Sequence, residues 1–439
     1  MASAVSKTPM LRAAAARGFA AHAQAACKSA SGDAQTTTLP NKLVVASAEP
    51  NAAVARVSIV FRAGARNEKS DNKGASHVLR AAAGLSTKTA SNFGITRNLQ
   101  QVGASLTATS DRETITYTVT VTKDELETGL KFLEGAATGQ VFKPWELADL
   151  KKMIQQDIAR VPIEVQATEA LHKAAFHKGL GNSIFCPKYN AGKHSSETMQ
   201  HYFATHCTTN RAAVAAVGVD HQILVGFAQS LHLESGAGPE VKANNFNSSE
   251  IRHERGGNKA VVAIATHGSG WNNLKECLAF HVLQGACGTG PVTKYGGNNG
   301  LITKQLGGVS SSTICPSYSD NGLFGVVVGG DAREVGKSVE TAVKALKGLN
   351  VSDADVARGK AVLLSWLIDY VETHSTLAFD LGEQAAVLGQ VYKKADLIEA
   401  VNGVSTSDVQ AAAKKAASGK LAIGAVGNLS KVPYLCNLN

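Results

Sequence analysis

Two nine-residue segments, "SHVLRAAAG" at residues 76–84 and "FHVLQGACG" at residues 280–288, repeat each other within one chain. Their histidines, His77 and His281, are 204 residues apart. Both segments are rich in apolar and small residues, which is typical of a helix packed against a core. A repeat at this spacing indicates a duplicated domain.

Two further pairs of segments keep nearly the same separation. Asp124 and Asp331 are 207 residues apart, and Gly218 and Gly427 are 209 apart, each within segments that match. These segments are "TYTVTVTKDELETGLKFL" (116–133) with "FGVVVGGDAREVGKSVETAVKAL" (324–346), and "AAVAAVGVDH" (212–221) with "LAIGAVGNLS" (421–430). The 439-residue chain is therefore predicted to contain two tandem copies of a domain of roughly 200 residues.

Within the first copy, short apolar strands precede long amphipathic helices. A hairpin is predicted to turn at residues 110–112, Asp124 to cap the next helix, and Pro144 to open the one after it. Strands followed by collected helices indicate the α+β class. We predict two α/β sandwich domains, each with an antiparallel or mixed sheet covered by helices on one face.

The first 32 residues differ in composition from the rest of the chain. They contain Lys7, Arg12, Arg17 and Lys28, many alanines and serines, and no acidic residue before Asp33. This pattern predicts a mitochondrial transit peptide, with cleavage near residues 19–20; a disordered alanine-rich tail is the alternative. N-terminal sequencing of the mature protein would distinguish the two.

Composition shifts also predict the domain boundaries. We expect a transit peptide and disordered start at residues 1–35, a first domain at 36–233, a linker at 234–258 and a second domain at 259–439. A separate glycine-rich stretch, residues 285–300, predicts a mobile loop within the second copy.

Charge and cysteine usage exclude several classes of function. The formal net charge of +9 falls to +6 when Lys7, Arg12 and Arg17, the basic residues before the predicted cleavage site, are removed. The sequence has no dense Lys/Arg block of the kind that binds nucleic acid. The seven cysteines form no CxxC pair, which argues against a disulfide framework, a structural zinc knot or an iron–sulfur cluster. No haem-attachment motif is present, so we expect no cofactor.

The segment around His77 resembles an inverted zinc-peptidase motif that lacks most of its chemistry. In H-x-x-E-H, two histidines at i and i+4 bind zinc and the glutamate at i+3 transfers protons. Here Arg80 stands at the glutamate position and Ala81 at the second histidine position. Taken alone, His77 is better explained as a helix-start histidine partly buried against the sheet than as a metal ligand.

The surrounding residues resemble the pitrilysin-type metalloproteases and, within them, the mitochondrial processing peptidase branch, which includes the core proteins of respiratory complex III. The resemblance covers about residue 38 to the C-terminus. The segments that carry it are "SHVLRAAAGLSTKTASNFGITR" (76–97), "FKPWELA" (142–148), "FCPKYNAGK" (185–193) and "SYSDNGLFG" (317–325).

The resemblance places the family's third zinc ligand, a glutamate about 80 residues after the first histidine, at Asp157. His77, Arg80, Ala81 and Asp157 are thus the degenerate positions of the family's site, and we expect no catalytic residue and no metal. A catalytic zinc normally keeps three protein ligands, and a guanidinium would occupy the place of the dication. We hypothesise that an Arg80–Asp157 ion pair replaces the metal.

The resemblance further implies a non-catalytic structural subunit of complex III, peripheral to the mitochondrial inner membrane on its matrix side. Its implied partners are the first core protein, other subunits including cytochromes b and c1, and the targeting peptide of the iron–sulfur subunit. Two alternatives stay open: the non-zinc α-subunit of the processing peptidase, which binds presequences, and an autonomous zinc protease, which would need stoichiometric zinc.

Overall fold

The computed structural model describes residues 34–48, 51–240, 243–288, 300–306 and 309–438. The predicted transit peptide, Cys27 and most of the predicted loop at 285–300 lie outside these ranges. Among the described residues, no helix combines the length and apolar character needed to span a bilayer.

The first half is built on a mixed six-stranded sheet in the spatial order β1-β2-β6-β3-β5-β4. All neighbouring pairs are antiparallel except β2 and β6, which are parallel. The strands are β1 (Gln35–Thr38), β2 (Val44–Ala48), β3 (Val54–Phe61), β4 (Ser105–Ser110), β5 (Ile115–Thr122) and β6 (Ala212–Val217). The hairpin predicted to turn near residues 110–112 is the β4–β5 connection.

The second half repeats this topology with five strands in the order β7-β11-β8-β10-β9. Again one pair, β7 with β11, is parallel and the others are antiparallel. The strands are β7 (Glu250–Glu254), β8 (Lys259–His267), β9 (Ser310–Ile314), β10 (Leu323–Asp331) and β11 (Ala422–Gly427). The predicted fold class, two tandem α+β domains, is confirmed.

Gly218 and Gly427 show that the repeat extends to single backbone positions. Both have positive φ, +83° and +120°, at the end of equivalent strands. A Cβ at Gly218 would lie 2.5 Å from the carbonyl oxygen of Val54, and one at Gly427 would clash in the same way with the carbonyl oxygen of Lys259. Each glycine is required because the equivalent neighbouring strand begins against it.

Most helices pack on one face of the sheet in their own half, where the two main cores lie. In the first half these are α1 (Ala75–Ala81), α2 (Asn92–Gln101), α3 (Leu126–Thr138), α4 (Pro144–Arg160), α6 (Ser196–His206) and α7 (His221–Ser230). In the second half they are α8 (Leu274–Cys287), α9 (Val335–Lys347), α10 (Asp353–Glu372), α12 (Lys394–Gly403) and α13 (Thr406–Ser418).

Two helices cross to the sheet of the other half. Helix α5 (Ile163–Phe176), from the first half, packs Ala167 and Leu171 on strands β8 and β11. Helix α11 (His374–Leu388), from the second half, packs Leu377 and Leu381 on β2, β3 and β6. Both sheets are therefore covered on both faces, and the prediction of helices on one face only was wrong.

The exchange of helices has no sequence signature of its own. The hydrophobic period of an amphipathic helix indicates that one of its faces is buried, but it does not identify the sheet against which that face packs.

Three local predictions also need correction. Asp124 does not cap a helix: it lies in a short 3₁₀ turn, and α3 begins after Glu125 without a side-chain cap. The linker predicted for 234–258 is too long, because residues 250–254 form β7 and pair with β11. The irregular stretch predicted for 285–300 begins too early, because α8 continues to Cys287.

A buried polar network joins the two halves. Arg112, only 3% exposed, pairs with Glu169 and donates to the carbonyls of Leu180 (3.2 Å) and Asn182. Its charge also acts on the buried Tyr318 of the second half.

Tyr318 extends the network to a third buried group. Its hydroxyl lies 2.9 Å from His172 Nε2, while His172 Nδ1 lies 2.7 Å from the carbonyl of Thr168. Because that carbonyl can only accept, Nδ1 carries the proton and Nε2 accepts from the tyrosine. His172 is thus a structural residue, held neutral by burial and by the charge of Arg112, which lower its pKa well below its ordinary value.

Candidate functional site

The helix that carries His77 is held at its start by a buried carboxylate. Glu68, 8% exposed, accepts from Gly74 N (2.7 Å), Ser76 N (2.9 Å) and Ser76 Oγ (2.6 Å). The two backbone amides belong to the first turn of α1, so they have no partner within the helix and Glu68 supplies one. The helix dipole also favours a negative charge at this end. Burial raises the pKa of Glu68 to about 7, and the three hydrogen bonds oppose that rise.

Gly74 lets a second segment approach the start of α1. Its φ is +92°, and a Cβ there would lie 2.6–2.8 Å from atoms of Cys186. The close approach brings Cys186 N within 3.0 Å of His77 Nδ1. A backbone N–H can only donate, so Nδ1 accepts and the ring proton of neutral His77 is on Nε2.

His77 Nε2 faces the carboxylate of Asp157, the residue at the position of the family's third zinc ligand. His77 is fully buried, and its Nε2 lies 3.3 Å from Asp157 Oδ2. Arg80, one turn further along α1, donates from Nη2 to the same oxygen at 3.0 Å. The structure therefore contains the hypothesised Arg80–Asp157 pair, with side chains 31% and 36% exposed.

The spacing of His77 and Asp157 still matches that of two zinc ligands. Two ligands of a tetrahedral zinc, each about 2.0–2.1 Å from the ion, are separated by about 3.3 Å. The distance between His77 Nε2 and Asp157 Oδ2 is 3.3 Å. The guanidinium of Arg80 binds that carboxylate oxygen, in the place where a zinc ion would bind it.

Two further features oppose metal binding. In zinc sites the non-ligating ring nitrogen almost always donates its N–H, whereas Nδ1 of His77 accepts from Cys186. Ala81 offers no ligand atom. Across the described part of the chain, no three His, Cys, Asp or Glu side chains are grouped to hold a metal ion.

The electrostatics of the site keep His77 neutral. Burial lowers the pKa of His77 most, the charge of Arg80 lowers it further, and Asp157 partly opposes both. The pKa in the folded state is therefore below that of the unfolded chain, about 6.5. The stability that neutral His77 contributes is fully present above pH 6.5 and is lost as the pH falls through the lowered folded pKa.

This balance gives a test by titration. Replacing Arg80 by glutamine should raise the pKa of His77, because one of the two influences that lower it is removed. The chemical shifts of the His77 ring, followed by NMR against pH, would measure the change. Lys151→Gln on α4 is the control, since Lys151 is not among the groups that shift His77; an unchanged pKa in Arg80→Gln would contradict the assignment.

The ion pair should contribute modestly to stability. Replacing Asp157 by alanine should lower the free energy of unfolding by about 1 kcal/mol, since the pair is about one-third exposed and solvent screens it. Chemical denaturation would measure this. Asp149→Ala, at an exposed position of the same helix, should change stability by less than about 0.5 kcal/mol. Equal effects of the two substitutions would contradict a stabilising role for Asp157.

The second copy has a different arrangement at the equivalent place. His281 Nδ1 donates to the carbonyl of Cys277 at 2.8 Å, and its ring stacks on Trp271. Gln284, at the base position, donates to Thr313 O. Gly285 replaces the second histidine, and a Cβ there would lie 2.9 Å from the carbonyl oxygen of Gly359 on α10. In the second copy, position 285 therefore allows α8 and α10 to pack closely and supplies no ligand.

Sequence reasoning did not find Glu68 and Cys186 as neighbours of His77. The contact of Glu68 with the start of α1 depends on how the preceding loop folds, which no local pattern indicates. Cys186 contacts His77 through its backbone amide, so the contact does not depend on the identity of the side chain. The six described cysteines are free thiols, five buried and Cys436 exposed. Burial raises the pKa of the Cys186 thiol to about 12, so it stays protonated and unreactive.

Comparison with known families agrees with this geometry. Residues 43–188 match the insulinase family (peptidase family M16), and residues 193–363 match the peptidase M16 inactive domain.

Full-length relatives cover both halves. Cytochrome b-c1 complex subunit 2, mitochondrial, of Mus musculus is 35% identical over 418 residues, 92% of each chain. The protein of the same name from Homo sapiens is 34% identical over 420 residues, again 92% of each chain. Probable mitochondrial-processing peptidase subunit alpha-1 of Arabidopsis thaliana is 26% identical over 91% of this chain and 82% of its own.

A solved structure shares the fold. A chain of complex III2 from Candida albicans, determined with Inz-5 bound, superposes with a TM-score of 0.77. The match covers 92% of this chain and 99% of that one, at 22% sequence identity.

Proposed function

Because the chain belongs to the insulinase family, peptidase family M16, we propose that it is a non-catalytic core subunit of mitochondrial respiratory complex III. The observation that carries this is its 35% identity, over 92% of both chains, to cytochrome b-c1 complex subunit 2. The role is structural: the subunit supports assembly and stability of the ubiquinol–cytochrome c oxidoreductase on the matrix side of the inner membrane.

The geometry at His77 supports the absence of peptidase activity. The proton-transferring glutamate is replaced by Arg80, whose guanidinium binds the remaining carboxylate. A zinc ion would need a third protein ligand and a free carboxylate oxygen, and would meet the positive charge of Arg80. The chain therefore neither binds zinc nor activates a water at this site.

The partners follow from the same assignment. The chain pairs with the first core protein and, through the complex, with cytochromes b and c1 and other subunits. The cavity between the core proteins can hold the targeting peptide of the iron–sulfur subunit. The chain carries no cofactor, and its transit peptide is removed near residues 19–20.

The second candidate is the α-subunit of the mitochondrial processing peptidase, which the 26% identity to the Arabidopsis thaliana protein favours. That subunit also lacks a complete zinc motif and contributes a glycine-rich loop for substrate. Here residues 285–300 contain glycines interrupted by Thr, Pro, Val, Lys and Tyr, an arrangement that favours the core protein.

Depletion of the chain tests the proposal. Mitochondria depleted of it should lose ubiquinol–cytochrome c reductase activity and assembled complex III, while presequence cleavage by a matrix extract continues. Both the wild-type chain and Arg80→Gln should restore the reductase, since no catalytic step uses Arg80. Loss of presequence cleavage with intact reductase activity would favour the processing peptidase instead.

A further inference from the structure

Two large aromatic side chains are exposed on the first turns of neighbouring helices. Phe93 is the second residue of α2 and is 72% exposed, and Trp145 is the second residue of α4 and is 64% exposed. Helix α2 packs on the core through Ile95 and Leu99, and the first buried residue of α4 is Leu147. A side chain two positions before a buried one projects from the opposite side of the helix, so the fold buries neither aromatic ring.

Hydrogen bonds join the two loops that lead into these helices, residues 86–93 and 139–146. Ser86 donates from its amide to Glu146 Oε2 at 3.1 Å, and its hydroxyl donates to the same carboxylate. That hydroxyl also accepts from Asn92 N at 3.3 Å. Glu146 is the only acidic residue of the two loops. The first turns of α2 and α4 are therefore fixed next to each other, and their aromatic side chains belong to one surface.

Three cations accompany the two aromatic side chains. Lys88 is exposed in the first loop, and Arg97 is exposed one turn after Phe93, on the same face of α2. Lys143 Nζ lies 5.7 Å from the centroid of the Trp145 ring. None of the three cations forms an ion pair with a described residue. We call this set the aromatic–basic surface; it consists of Lys88, Phe93, Arg97, Lys143 and Trp145.

An open groove of about 400 Å³ adjoins the aromatic–basic surface. Pro144, Leu147 and Ala148 of α4 form one wall, and residues 192–197, which lead into α6, form the other. This volume is within the range of ligand pockets, about 300–1,000 Å³, and it admits an apolar side chain. Protein interfaces combine such a groove with exposed aromatic side chains at the centre and a polar, charged rim.

The residues around the groove favour a protein segment over an anionic bilayer. Glu197 lines the far wall, and Asp149 follows the near wall on α4; both are exposed. An anionic bilayer that covered the groove would lie against both carboxylates and be repelled by them. A single protein segment can place its own carboxylates on the cations of the two loops and only an apolar side chain in the groove.

We propose that the aromatic–basic surface binds a segment of another protein in which carboxylates flank an apolar side chain. The apolar side chain enters the groove beside Trp145, and the carboxylates pair with Lys88, Arg97 and Lys143. The apolar contact supplies most of the affinity, since exposed ion pairs contribute little, and the ion pairs select the partner. The proposal goes beyond the assignment to complex III and does not depend on it.

A peptide of this chemistry tests the surface on the full-length chain. A short fluorescein-labelled peptide in which glutamates flank each leucine would be titrated with protein, with anisotropy as the readout; the same peptide with lysines in place of the glutamates is the probe control. The variants are Trp145→Ser, Phe93→Ser and Lys143→Gln. Ile368→Ser, 40% exposed on α10, and Lys344→Gln, exposed on α9, make the same kinds of change in the second half. Flotation with phosphatidylglycerol vesicles tests the bilayer.

We expect the glutamate peptide to bind the wild type, Ile368→Ser and Lys344→Gln equally, and the lysine peptide to bind none of them. Binding should weaken about 10- to 30-fold in Trp145→Ser and in Phe93→Ser, the loss of an aromatic anchor. It should weaken about two- to five-fold in Lys143→Gln, the loss of one exposed ion pair. Equal binding by all variants, no binding of the glutamate peptide, or binding to the vesicles alone would overturn the proposal.

Discussion

A chain carrying both Arg80→Glu and Ala81→His should bind one zinc ion, whereas the wild-type chain should bind none. The two substitutions complete H-x-x-E-H on α1, placing the introduced imidazole on the same face as His77, one turn away. Asp157 Oδ2, already 3.3 Å from His77 Nε2, supplies the third ligand once the guanidinium is removed. Inductively coupled plasma mass spectrometry of the purified chains would measure the stoichiometry.

The expected free energies favour zinc binding, although the hydrogen bond that His77 Nδ1 accepts from Cys186 N opposes it. Zinc coordination through Nε2 requires the ring proton to move to Nδ1, which costs the hydrogen bond from Cys186 N, about 1–3 kcal/mol. The structural zinc sites of zinc-finger peptides, which have four protein ligands, release roughly 10–16 kcal/mol on binding, so a site with three ligands has free energy to spare for this cost. The rebuilt site should therefore be occupied, with an affinity about 10- to 100-fold below that of a site whose ligating histidine donates from its other nitrogen.

Ala81→His alone is the matched control. It supplies the second histidine but keeps Arg80, so the guanidinium still occupies Asp157 and repels the dication. We expect no zinc in this variant. Stoichiometric zinc in Ala81→His, or in the wild type, would show that Arg80 does not block the site.

Replacing Arg112 by methionine should lower the free energy of unfolding by about 3–5 kcal/mol, a large part of the stability of an ordinary domain. The substitution leaves Glu169 without its partner and removes the donor to the carbonyls of Leu180 and Asn182. It also removes the charge that acts on Tyr318 across the two halves. Urea denaturation followed by tryptophan fluorescence would measure the loss.

Two comparisons separate the network from a general effect of charge removal. Lys275→Met breaks an ion pair whose lysine is 69% exposed, and should cost at most about 1 kcal/mol. Adding Glu169→Gln to Arg112→Met should recover part of the stability, because the unpaired buried charge is neutralised. A cost for Arg112→Met no greater than that for Lys275→Met would contradict a buried network that holds the halves together.

The duplication could be predicted because it is present in local sequence patterns. The glycines Gly218 and Gly427 are equivalent, and they and the strands before them recur at a nearly constant offset from the other matches. The hydrophobic period of a short segment also indicates whether it forms a helix or a strand. The Arg80–Asp157 pair could be anticipated only through the family resemblance, since 77 residues separate its partners.

Other features depend on long-range contacts that no local pattern encodes. Helices α5 and α11 cross to the opposite sheet, and their composition would suit either sheet equally. Asp124 follows a strand and precedes an apolar period, as a cap does, yet the chain forms a 3₁₀ turn there instead. The largely charged "EIRHE" of β7 is typical of a linker; as an edge strand it leaves those side chains outside the core.

Purification of the chain from detergent-solubilised mitochondria through an affinity tag would test whether it is a non-catalytic core subunit of complex III. We expect it to elute with cytochromes b and c1, detected by their haem absorbance, and with a first core protein in equal amount. Elution as a soluble matrix heterodimer that cleaves presequences and carries no haem would contradict it.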